Sequence, residues 1–132
     1  MPTLRLSLKQ IEAVMALPAS RRYEHFIKQV ADWEEVWGLY LDGWALAAAD
    51  DDETPAFPVW PAEEYATLCA AGDWEGYEPS VIELDDFLNE LLPMLSKDGV
   101  LISVFYLPKG VGVNVDSERL SFDIKEELTK YE

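Results

Sequence analysis

The sequence predicts an α+β domain, with a mostly antiparallel sheet of five or six short strands covered by four or five helices. Three observations carry this. Apolar runs of strand length flank turn signals, most clearly at Asp42-Gly43 and at Pro108-Lys109-Gly110. Between such runs lie segments whose apolar residues return every three or four positions, the period of a helix resting one face on a core. Residues 100–107, VLISVFYL, are apolar apart from Ser103, as a central strand buried on both faces requires. At 132 residues the chain reads as one domain over 1–132, long enough to bury roughly two thirds of its unfolded surface.

In chain order, Ser7 with Gln10 forms a capping box ahead of a helix that aligns Leu8, Ile11 and Val14 or Met15, stopping before Pro18. A second helix starts at residues 18–20. It carries Tyr23, Phe26, Ile27 and Val30 on one stripe and turns Arg21, Arg22, Glu24 and Lys28 to solvent. The hairpin follows. With Asp42-Gly43 as a two-residue loop, Leu41 faces Trp44, Leu39 faces Leu46 and Trp37 faces Ala48, six side chains on one bulky face assigned to the core. The opposite face, Val36, Gly38, Tyr40, Ala45, Ala47 and Ala49, is small enough for another surface to approach, including a second copy in a homodimer. A slip of one residue would exchange the two faces.

Asp50, Asp51, Asp52 and Glu53 lead into Thr54-Pro55 as a loop. Residues 56–60 form a short strand in which Pro58 implies an edge position or a bulge. Pro61 opens a helix over 62–71, with Tyr65, Leu68 and Cys69 on one face and Gly72 as its stop. Residues 73–79 are a loop containing Trp74 and Tyr77, and 80–84 a strand. Asp85 caps a helix that turns Phe87, Leu88, Leu91, Leu92 and Leu95 inward and ends at Lys97-Asp98-Gly99. Val111, Val113 and Val115 alternate on a returning strand. Asp116 or Ser117 then caps a last helix bearing Leu120, Ile124, Leu128 and Tyr131.

Charge is the global feature that stands out. The net charge is −16, and residues 29–96 hold 17 carboxylates with no lysine or arginine. A field of that sign repels nucleic acid and anionic membrane and attracts basic proteins, so the expected partner is a basic protein, with no nucleic acid and no membrane. The plainer reading is that acidity keeps the protein soluble. No apolar run approaches the ~20 residues that span a bilayer, the N-terminus lacks a signal-peptide core, and Cys69 is the single cysteine; a cytoplasmic location is expected.

The chemistry-bearing residues are few. His25 is the only histidine, which removes His-His metal sites and favours a structural role. Cys69 lies on a core-facing stripe without a nearby base and reads as an inert thiol. Consecutive carboxylates at 50–53 alternate in direction and lack the spaced ligands and turn of a calcium loop. Gly110-Val-Gly112-Val precedes a strand and is a turn, not a nucleotide loop. No catalytic set, metal or cofactor is expected. The aromatic residues Trp33, Trp37, Trp44, Trp60, Tyr65, Trp74 and Tyr77 all fall in the block without basic residues. Core filling explains most of them. The remaining idea is an acidic, aromatic-lined groove for a cationic group.

The segments DWEEVWGLY, PVWP followed by YATLC, the WEGY loop and LDDFLNELLPMLSKDG resemble a bacterial family of unknown function, DUF2750, over almost the whole chain. That resemblance implies a small single-domain bacterial protein and no particular activity. Family members often carry a histidine after PVWP where this chain has Ala62. The expectation is therefore a non-catalytic protein-binding module, inhibitor- or immunity-like towards a basic partner, with Trp60, Trp74 and Tyr77 and the acidic Asp50, Asp51, Asp52 and Glu53 as its surface. The alternative is a small-molecule binder or enzyme using the same groove.

Overall fold

The computed structural model of the chain describes residues 7–48, 53–108 and 112–131, and for Asp73 and Tyr131 the backbone alone. Helix α1 (Leu8–Met15) starts on the predicted capping box: Gln10 N–H donates to Ser7 Oγ at 3.1 Å, and Ser7 N–H donates to Gln10 Oε1 at 2.9 Å. Helix α2 (Ala19–Trp33) buries Phe26, Ile27 and Val30 along its predicted stripe. Arg22, expected in solvent, is buried instead. Its Nη1 donates at 2.8 Å to the carbonyl of Leu17, in the turn between α1 and α2, and burial pulls its pKa below the usual value.

Strand β1 (Glu35–Tyr40) pairs antiparallel with β4 (Glu78–Glu83) as one sheet. Strands β2 (Ala47–Ala48), β3 (Pro55–Val59), β5 (Leu101–Val104) and β6 (Val113–Val115) form a second in the order β2-β3-β5-β6, antiparallel except for the β3–β5 pair. A bridge between Trp37 and Trp60 joins the sheets. The architecture is α+β, as expected, with six strands and five helices among the described residues.

The hairpin differs from its expected register by one residue. Tyr40 pairs with Trp44 across a three-residue loop, and Ala45 N–H donates to the Leu39 carbonyl at 2.9 Å. On the bulky face Leu39 is buried but Leu41 and Leu46 are half exposed, and on the small face Val36 and Ala45 are buried, so the core is not formed by the bulky face alone. The reason is packing. A Cβ on Gly38 would lie 3.0 Å from the Trp44 ring, so the glycine makes room for that ring, which also contacts Phe57 at a centroid distance of 5.6 Å. The small face proposed for a homodimer is thus covered by the chain itself at Gly38; Ala49 lies outside the described residues.

Pro58 is not on an edge strand. Ala56 pairs with Ala47 and Trp60 with Trp37, and Pro58 falls where the ladder passes from β2 to β1, a place that needs no donor. Helix α3 (Glu63–Cys69) buries Tyr65, Ala66 and Cys69, but leaves Leu68 half exposed. Helix α4 spans 84–97, with the turn at Phe87–Leu91 widened so that Leu92 N–H donates to the Phe87 carbonyl. The wide turn precedes Pro93, whose ring would clash with the carbonyl four residues back in a regular helix. Gly99 closes the helix at φ 71°. Helix α5 (Ser117–Leu128) is capped by Asp116, which accepts the Arg119 N–H at 2.7 Å, and buries Leu120 and Ile124. One apolar cluster runs through the helices and every strand but β2.

Candidate functional site

Tyr106 organises the candidate site. Strand β5 ends at Val104, and Phe105 takes a positive φ of 55°, a conformation an aromatic residue adopts only when its surroundings hold it there. They do: Phe105 is wholly buried, donates its N–H to the Val59 carbonyl at 2.9 Å and packs on the Tyr65 ring at 4.7 Å. The turn directs the Tyr106 carbonyl inward, where Trp60 Nε1–H donates to it at 2.7 Å and the Cys69 thiol at 3.3 Å. The Tyr106 ring packs against Trp74 at 5.0 Å, and Trp74 meets Trp60 edge-on at 6.3 Å.

Above this aromatic stack lies a groove of about 660 Å³. Its walls are Leu46, Ala47 and Ala48 on one side and Cys69, Ala71 and Gly72 on the other, with Trp74, Tyr106 and Pro108 and the segment Glu53-Thr54-Pro55 completing it. Among the described residues no lysine or arginine lines it. Glu53 is exposed and Trp74 half-buried, so a carboxylate and an indole share one concave surface. Burial pushes the Cys69 thiol up to about 11, which keeps it protonated and unreactive at neutral pH.

The structure brings Trp74 and Glu53 together in the groove and leaves Trp60 and Tyr77 out of its lining. Trp60 is wholly buried and supports Trp74 from behind, so it belongs to the core and not to the binding surface. Tyr77 packs partly buried against the core and does not line the groove. Asp50, Asp51 and Asp52 lie outside the described residues. Sequence reasoning missed Tyr106 and Pro108. They follow an apolar strand run, and only the turn at Phe105 sends them out of the sheet. Among the described residues no group of three or more His, Cys, Asp and Glu side chains is placed to hold a metal, and no helix is long and apolar enough to cross a membrane.

No curated protein and no solved structure matches the chain. A family model described as "Protein of unknown function (DUF2750)" matches residues 23–124, and the chain belongs to that family.

Proposed function

We propose that the chain is a non-catalytic binding protein that takes a basic segment of a protein partner into the Trp74–Glu53 groove. The observation that carries this reading is the joint presence of an accessible indole and a carboxylate in a groove that no lysine or arginine lines among the described residues. A lysine or arginine side chain placed there meets the faces of Trp74 and Tyr106 and the charge of Glu53, attractions that add in a partly desolvated site. The surrounding field favours the same partner. Glu35 and Glu83 are cross-strand neighbours in β1 and β4, and exposed Asp85 and Asp86 follow directly, an arrangement of like charges that disfavours the fold locally and attracts cations over distance. A protein of this kind can mask a basic surface, as inhibitors and immunity proteins do.

Calorimetric titration with a peptide of alternating lysine and arginine tests the reading. Binding should weaken steeply with salt, and Glu53→Lys and Trp74→Ala should each reduce affinity about fivefold or more. Absence of binding, or affinity indifferent to both variants, contradicts it.

A further inference from the structure

The ten lysines and arginines all lie outside residues 29–96, in the two ends of the chain, and the fold packs α2 of the first end against α5 of the second. Helix α2 supplies Ser20, Tyr23, Glu24, Ile27 and Lys28 to one wall of a cleft. Helix α5 and the turn after it supply Arg119, Asp123, Glu127 and Lys130 to the other, and Val113 and Val115 of the edge strand β6 form the floor. The spacing is that of single helical faces, three or four residues apart on each wall. The cleft has a volume of about 700 Å³, within the range that holds a small organic ligand.

Its polar groups are not equivalent. Asp123 Oδ2 accepts from the Tyr23 hydroxyl at 2.5 Å and from Arg119 Nε at 2.9 Å, and Glu127 is paired with Lys130 at 3.1 Å. Two of the three acids are therefore held by donors of the cleft itself. Lys28 has no carboxylate within ion-pair distance among the described residues, and Arg119 engages Asp123 through Nε, with no partner at its terminal nitrogens among the described residues. Against these donors stand the apolar surfaces of Tyr23, Ile27, Val113 and Val115. We infer that this cleft is a second site, distinct from the Trp74 groove, that binds a small amphipathic monoanion. The apolar body lies on β6, and the carboxylate or sulfonate lies between Lys28 and Arg119. Glu24, on the same wall, selects against a second negative charge on the ligand.

The probe is 1-anilinonaphthalene-8-sulfonate, an aromatic body with one anionic group, titrated into the full chain by fluorescence and followed by amide chemical shifts. The expected result is saturable one-site binding that shifts the Val113 and Val115 amides. Lys28→Glu should weaken it at least about tenfold, since it replaces attraction by repulsion at short range. Lys125→Glu makes the same change of charge on α5 outside the cleft lining and should weaken binding by no more than about twofold, as a screened solvent-exposed charge does. No binding overturns the inference, as does equal weakening by both variants or shifts confined to residues away from β6. Loss of peptide binding to the Trp74 groove leaves it intact, because the two sites share no residue.

Discussion

Trp37 and Trp60 exchange both backbone hydrogen bonds, each N–H donating to the other's carbonyl at 2.9 Å, and this pair ties the β1–β4 sheet to the four-stranded sheet. Trp37 meanwhile opposes Val81 on its other side, so it sits at a crossing where three strands meet. Trp60 is wholly enclosed, and its indole N–H holds the Tyr106 carbonyl that shapes the candidate groove. The tryptophans are thus joints of the fold before they are anything else.

Trp60→Ala should cost about 3–5 kcal/mol of stability, as removal of a buried aromatic does. Trp60→Phe should cost less in volume but deprives the Tyr106 carbonyl of its shorter hydrogen bond, for about 1–3 kcal/mol. Urea denaturation checks both. A Trp60→Phe variant as stable as the parent contradicts the assigned hydrogen bond.

Gly38→Ala introduces a methyl 3.0–3.1 Å from two carbons of the Trp44 ring. The expected loss is about 1–3 kcal/mol from overpacking. Trp44→Leu in the same chain should relieve part of that loss, a coupling that a double-mutant cycle measures. Strict additivity would mean that the two residues are not in contact.

Stability should fall on the alkaline side in a defined window. Burial raises the Cys69 thiol to about 11 from 9.0 and the Tyr65 phenol to about 12 from 10.0. Burial together with the Asp123 hydrogen bond raises the Tyr23 phenol further. Each group is held in its protonated form by the fold. Its contribution is complete below the unfolded-state pKa and is lost as pH rises through the folded-state value, from about pH 9 upward. Cys69→Ala should flatten the decline between about pH 9 and 11, measured as the urea midpoint against pH. An unchanged slope would show that the thiol is not the group responsible.

Glu83→Lys turns a cross-strand pair of like charges into an attractive one. A gain of about 0.5–1 kcal/mol is expected, larger at low salt than at high salt. A loss of stability, or a gain that salt does not alter, would count against repulsion at Glu35 and Glu83.

Local signals in the sequence were read correctly where the determinants are local. Ser7 with Gln10, the Phe26–Ile27–Val30 stripe, Asp116 and the glycine after Lys97 each act within one or two turns of helix, and the structure uses them as expected. One local signal failed: Asp85, expected as a cap, lies inside the first turn of α4, which starts at Leu84 behind Glu83. The other failures are tertiary. Asp42-Gly43 is compatible with two registers, and the choice was made by Trp44 lying over Gly38 and against Phe57. A rule that assigns one face of a hairpin to the core fails for β1, because Leu39 is buried on one face while Val36 and Gly38 are buried on the other. Arg22 looked like a surface cation because nothing local announces that the Leu17 carbonyl will need a donor. In the candidate site, Trp74 and Glu53 could be named from their setting, but their grouping depends on the turn at Phe105, and a positive φ at an aromatic residue leaves no mark in composition.

The most direct test of the binding account is the indole N–H spectrum of the protein during titration with the lysine–arginine peptide. The account predicts that the Trp74 indole resonance moves with saturation while that of Trp60, sealed behind it, barely responds. Peptide binding that leaves the Trp74 resonance in place would contradict it and put the basic partner elsewhere on the acidic surface.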